Sequence, residues 1–116
     1  HNHCGQVRVW EKGFIVTSGS VGLALDGNPT AQYLLLDQEK NGWTIQHQSV
    51  PYHLDATLSR FHDTGYLASV GPMGHLFFRE VVTGSHQIVP FLRLYTQWSK
   101  QGDISLSRAV DRFLSL

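Results

Sequence analysis

Two histidines at the start of the sequence, His1 and His3, are the residues whose type and spacing most directly suggest chemistry. In an extended segment, residues i and i+2 point to the same side and lie roughly 6.5–7 Å apart along the chain. Two imidazoles in that arrangement can bind one metal ion, or one ion each of a pair about 3.5–4 Å apart. The remnant of an affinity tag or a frayed terminus would produce the same pattern, so the spacing alone leaves both interpretations open.

Other groups near and beyond this pair carry weaker signals. Cys4 is either a thiolate ligand beside the histidines or a small apolar residue at the start of a strand. The segment Gly19–Gly22 is neither a nucleophile elbow nor a phosphate loop, because the patterns that define those motifs are absent. The remaining histidines lack the i, i+4 spacing of a helical metal motif, and we expect them to be surface or partly buried side chains. They are His47, His53, His62, His75 and His86.

Length and charge limit the class of protein. A chain of 116 residues fits one domain and, if compact, should bury roughly two thirds of its unfolded surface. Nine Lys and Arg balance nine Asp and Glu, which argues against a nucleic-acid ligand, since domains that bind phosphates carry a basic excess. One cysteine excludes an internal disulfide, and no apolar run approaches the ~20 residues needed to span a bilayer. We therefore expect a cytoplasmic protein with no membrane partner.

Strand signals dominate the sequence up to about residue 50. An apolar run on each side of a short Gly-containing connection predicts a hairpin from Val7 to Thr17. A second hairpin is predicted from Gln32 to Val50, with its turn at Asn41-Gly42. The apolar run over residues 33–36 predicts a strand that is buried on both faces.

Three or four helices are predicted after Pro51, because apolar residues recur there at helical spacing. Gly65 suits the residue that follows the first helix, and Pro90 suits the first turn of a helix over 87–100. The last helix is predicted to begin at a cap formed by Asp103 or Ser105. Its buried stripe is predicted to consist of Leu106, Ala109, Val110, Phe113 and Leu114. Strands followed by helices indicate an α+β fold.

The order of the motifs carries a further signal. The series consists of His1-Asn2-His3, the hairpin over 7–17, Ser18-Gly19-Ser20-Val21-Gly22, Asp26-Gly27-Asn28-Pro29 and the strand over 31–37 that ends in Leu-Asp. This series resembles the C-terminal part of the calcineurin-like metallophosphoesterases, in particular their small bacterial phosphodiesterase branch. That family ends its metal motifs with Gly-His-x-His, and a hairpin, a Pro-Gly-Ser-Val-Gly loop and a Gly-Asp/Asn-Pro turn follow.

The resemblance implies a fold, an activity and a site. Residues 1–62 would be the C-terminal part of a four-layer α/β/β/α sandwich with mixed β-strands, and residues 63–116 a helical C-terminal extension of the same single-domain fragment. His1 and His3 would each bind one of two divalent metal ions (Mn²⁺, Fe or Zn²⁺). The activity would be hydrolysis of phosphate esters by a phosphodiesterase or phosphatase. The family's other ligands lie upstream of this motif, and no catalytic residue can be assigned within the chain.

Two other interpretations stay open on the sequence. The chain could belong to a non-catalytic scaffold or binding domain of the same fold whose metal site is degenerate, or it could be an independent β/α domain in which His-x-His is accidental. Because no Met stands at position 1, we expect an excised fragment or a processed product. The expected partners are a small phosphate ester and the remainder of its own domain upstream of His1, and a homo-oligomer stays open.

Overall fold

The computed structural model describes residues 3–116, which form four β-strands followed by five α-helices. The strands are β1 (Gly5–Trp10), β2 (Gly13–Ser18), β3 (Ala31–Glu39) and β4 (Gly42–Val50). The helices are α1 (Leu54–Asp63), α2 (Tyr66–Val70), α3 (Pro72–Thr83), α4 (Ile88–Gln101) and α5 (Leu106–Leu114). This order confirms the predicted α+β class and the change from strands to helices at Pro51. Within residues 3–116, no helix has both the length and the apolar character needed to cross a membrane.

Each pair of strands forms its own two-stranded antiparallel sheet. In the first hairpin Trp10 pairs with Gly13, which leaves a two-residue loop. The first loop residue, Glu11, adopts a positive φ of 51°, as the first central residue of a two-residue hairpin turn commonly does. The predicted hairpin over 7–17 is therefore confirmed, with a turn closed by a non-glycine residue.

The second hairpin turns one residue earlier than its sequence predicts. Glu39 pairs with Gly42, so the two-residue loop consists of Lys40 and Asn41. Gly42 is the first residue of β4 and has a φ of 137°. The Asn-Gly pair therefore lies across the end of the turn and the start of the strand.

The two hairpins expose apolar side chains on both of their faces. The predicted burial of β3 is wrong for this chain: Tyr33 is 43% exposed and Leu36 is 54% exposed. The physical reason is that a two-stranded sheet has no second layer against which either face could pack. The other exposed apolar residues of the hairpins are Val7, Val9, Trp10, Phe14, Ile15, Leu35, Trp43 and Val50.

The shape of the chain reflects those uncovered faces. Its radius of gyration is 18.5 Å, whereas a compact chain of this length has a radius of about 13 Å. Its accessible surface is 8153 Å², compared with about 6,400 Å² for a compact protein of the same mass. The chain thus buries less than the two thirds of its unfolded surface that its length would allow.

The main apolar core lies entirely among the helices. Leu76, Phe91, Ala109 and Val110 are buried there and form one cluster. Partly buried residues surround it, namely Met73, Ile88, Tyr95, Trp98, Ile104, Phe113 and Leu114. The Phe91 ring stacks on the Tyr95 ring at a centroid distance of 5.5 Å and meets the Phe113 ring edge-on at 5.6 Å. This cluster joins α3, α4 and α5 independently of the strands.

Helix α5 begins at one of the two predicted caps and differs from the predicted stripe at its first residue. The Ser105 hydroxyl accepts a hydrogen bond from the Arg108 N–H at 3.3 Å. Val110 is buried as predicted, but Leu106 is 38% exposed. Ile104, in the segment before the helix, packs against the core in its place.

A buried carboxylate fixes the start of α4. Glu80 is 4% exposed and accepts hydrogen bonds from the backbone N–H groups of Gln87 and Ile88, at 2.8 and 3.0 Å. The first N–H groups of a helix have no partner within the helix, and a negative charge there is stabilised by the helix dipole. Pro90, which has no N–H, lies in the same first turn as predicted.

Replacement of Phe91 by Ala should lower the free energy of unfolding by about 3–5 kcal/mol, because it leaves a cavity at the centre of the helical core. The neighbouring Leu92, which is 47% exposed, provides the control: Leu92→Ala should cost less than about 1 kcal/mol. Urea unfolding followed by helical circular dichroism measures both variants. Equal losses in the two would show that the cluster is not the core of the chain.

Candidate functional site

His3 lies two residues before the start of β1 and contacts the loop that joins β2 to β3. Its Nδ1 is 3.4 Å from the hydroxyl of Ser20, 17 residues away in the sequence. The side chain is half-buried, and its backbone has a φ of 57°. His1 lies outside the described residues, so the prediction that both histidines face the same side stays a prediction.

Ser20 is itself held in place. Its hydroxyl oxygen accepts a hydrogen bond from the Leu23 N–H at 3.0 Å. A hydroxyl can accept from one group and donate to another. Ser20 can therefore keep its bond to Leu23 and either donate to His3 Nδ1 or accept from it, depending on the tautomer of the imidazole.

A cavity of about 450 Å³ opens beside His3. Its other walls are Cys4 and residues 16–21, which include the end of β2 and the following loop. Cys4 is half-buried, and its carbonyl oxygen accepts a 2.9 Å hydrogen bond from the hydroxyl of Thr17. This bond ties the segment that carries His3 to the end of β2.

A smaller polar cavity of about 170 Å³ lies between the two hairpins. His47, on β4, reaches across it and donates from Nε2 to the Thr17 carbonyl oxygen at 2.9 Å. The ring passes so close to Gly5 that a Cβ at that position would lie 2.6 Å from His47 Cδ2. A glycine at the start of β1 is therefore needed for this contact. Sequence reasoning expected His47 to lie at or near the surface and missed its role in joining the hairpins.

The described residues do not form a complete metal site. Across residues 3–116, no group of three or more His, Cys, Asp or Glu side chains is arranged to hold a metal ion. The four histidines beyond the strands are exposed, as expected, and the structure does not bring them to His3. They are His53, His62, His75 and His86. His3 could thus act only as one donor of a site whose other ligands come from elsewhere.

A buried amide, Gln32, is the functional candidate that sequence reasoning missed. It is 7% exposed and lies at the start of β3, beside the loop that contacts His3. Its Nε2 donates to Asp26 at 2.6 Å, and its Oε1 accepts from the Ser20 N–H at 3.3 Å. The signal available in the sequence was a single amide that directly precedes an apolar run.

The chain was compared with family models, with curated proteins and with solved structures, and none of these comparisons finds a match.

Gly19→Ala should lower the free energy of unfolding by about 1–2 kcal/mol or more, since Gly19 has a φ of 91° and a Cβ there would overlap Gln32 Oε1. Gly22→Ala provides a control in the same loop, because nothing lies within 4 Å of a Cβ at that position. That variant should stay within about 0.5 kcal/mol of the unaltered protein. Thermal or urea unfolding measures both, and a neutral Gly19→Ala would contradict the described loop conformation.

Proposed function

We propose that this chain is the C-terminal part of the catalytic domain of a calcineurin-like metallophosphoesterase, a metal-dependent hydrolase of phosphate esters that acts as a phosphodiesterase or phosphatase. One observation carries the proposal. Two segments of the series that carries the resemblance, the His-x-His motif and the Ser18–Gly22 loop, are adjacent through the 3.4 Å contact between His3 and Ser20.

The surroundings of His3 suit a metal ligand. In metal sites, one ring nitrogen of a ligating histidine binds the ion and the other is oriented by a hydrogen-bond partner. Ser20 lies where such a partner would be needed, beside Nδ1. The positive φ of His3 adds support, because backbone conformations of this kind cluster at functional sites.

The uncovered hairpins support a larger layered domain. Apolar residues such as Trp10, Phe14 and Trp43 are more than half exposed, although side chains of this kind are normally buried when a sheet has a second layer. In the proposed four-layer sandwich, strands and helices from outside the described residues would cover these faces. Residues 63–116 would be a helical extension with its own core around Phe91.

The proposed site would contain two divalent ions, Mn²⁺, Fe or Zn²⁺, with His1 on one and His3 on the other. When bound, such ions supply an activated water and neutralise charge on the phosphoryl oxygens. This chain would hold the two imidazoles and line the 450 Å³ cavity beside His3, which is large enough for part of a small phosphate ester. We also propose a cytoplasmic location. The sequence contains one cysteine, so an internal disulfide that would need an oxidising compartment cannot form within it.

His3→Ala should lower bound Mn²⁺ and phosphodiesterase activity together, because it removes one ligand of the proposed pair. The assays are metal analysis and hydrolysis of bis(p-nitrophenyl) phosphate, on the longest natural polypeptide that contains this chain. His75→Ala is the matched control, since His75 is exposed on α3 and outside the proposed site. Unchanged metal content in His3→Ala would refute the assignment of His3.

Residues 1–116 alone should show no metal-dependent hydrolysis of the same ester. Each Zn²⁺-like or Mn²⁺-like ion needs at least four ligands, and the chain offers His1 and His3 with Cys4 as a third candidate. The longest natural polypeptide, assayed beside it with added Mn²⁺, should be active. Chelator-sensitive turnover by the 116-residue chain alone would contradict the proposal, because the whole site would then lie within it.

A further inference from the structure

The loop beside His3 is held by a buried side chain from another element. Gln32 is one of two buried polar residues among the described ones, and both ends of its amide are engaged. Its Nε2 donates to Asp26 Oδ2 at 2.6 Å, and its Oε1 accepts from the Ser20 N–H at 3.3 Å. Because the bond to Asp26 fixes which end of the amide is the donor, the oxygen must face Ser20.

Gln32 binds both backbone polar groups of Ser20, its N–H and its carbonyl oxygen. Besides the N–H bond to Oε1, the Ser20 carbonyl oxygen accepts from the backbone N–H of Gln32 at 3.0 Å. Its hydroxyl is fixed by the Leu23 N–H and lies 3.4 Å from His3 Nδ1. A displacement of Gln32 would therefore move the hydroxyl that faces the imidazole.

Two local features keep this arrangement in one conformation. Gly19 brings the loop so close to Gln32 that no side chain fits between them. Asp26, the residue that orients the amide, is itself held by the turn that follows, since its Oδ1 accepts from the Asn28 N–H at 3.1 Å. The chain of contacts runs from the 26–28 turn through Gln32 and Ser20 to His3.

We propose that Gln32, oriented by Asp26, is a positioning residue: it holds Ser20 in the place from which the serine hydroxyl orients the His3 imidazole for metal binding. The inference rests on the proposed function. It gives a positioning role to Gln32 and Asp26, which neither line the cavity beside His3 nor contact the proposed metal ligands. In metal sites, loss of the partner that orients a ligating histidine lowers metal affinity by roughly 10–100-fold.

The test compares substitutions in the longest natural polypeptide that contains this chain. Two readouts are used, the dissociation constant for Mn²⁺ and the ring ¹⁵N resonances of His3 in the metal-free protein. Gln32→Leu should weaken Mn²⁺ binding by about tenfold or more and should shift the His3 resonances. Gln38→Leu makes the same change at an exposed position of β3 and should alter neither readout.

A double-mutant cycle separates positioning from general stability. Ser20→Ala alone should weaken Mn²⁺ binding to a similar extent, and adding Gln32→Leu to it should have little further effect, because both act through one hydroxyl. Should Gln32→Leu not fold, Asp26→Asn tests the same chain of contacts and should lower Mn²⁺ affinity by a smaller factor. Fully additive effects on Mn²⁺ affinity would overturn the proposal.

The outcomes distinguish this inference from the proposed function. Unaltered protein that binds no Mn²⁺ would refute the proposed function, and the His3 resonances in metal-free protein would still decide whether Gln32 positions the imidazole. Normal Mn²⁺ affinity and unshifted His3 resonances in Gln32→Leu, with only a lowered unfolding midpoint, would show that Gln32 is structural and overturn the inference.

Discussion

Among the described residues, the buried apolar cluster lies in the helices, whereas hydrogen bonds join the segments of the β-region. The contacts that join its segments include those of His47 to the Thr17 carbonyl, of Gln32 to Ser20, and of the Thr17 hydroxyl to the Cys4 carbonyl. Hydrogen bonds are directional, whereas apolar burial is not. They can fix the relative positions of a few residues without supplying the free energy that a core of packed side chains would add.

The helices depend on a different kind of interaction. Their core around Phe91 is made of closely packed apolar side chains, and the buried Glu80 carboxylate satisfies two backbone N–H groups at the start of α4. A hydrogen bond also joins the loop after β2 to the end of α3: the Gly27 N–H donates to the Gly84 carbonyl oxygen at 2.8 Å. The helical part of the chain is therefore stabilised by its own core. The β-region is joined by hydrogen bonds between polar groups, and its apolar faces are uncovered.

Local patterns could be predicted from the sequence because each has a local cause. The Ser105 cap, the Pro90 first turn and Gly65 after α1 follow from backbone geometry and N–H groups that lack partners within a few residues. The two-sided burial of β3 could not be predicted correctly, since it depends on a second layer that no short segment encodes. Likewise, the burial of Gln32 depends on Asp26 and Ser20, six and twelve residues away, and a single amide in a strand carries no sign of its partners.

The hydrogen bonds around His3 explain how its unusual backbone conformation is maintained. A left-handed conformation of a non-glycine residue costs free energy and persists only where surrounding contacts over-determine it. Here the Thr17 bond fixes the following residue, and Ser20 faces the imidazole itself. Because Ser20 is fixed in turn by Leu23 and Gln32, the direction of the His3 ring is set by the loop rather than by β1 alone. In the proposed site, a ligand held in this way would be oriented before an ion arrives, which would reduce the ordering that binding otherwise requires.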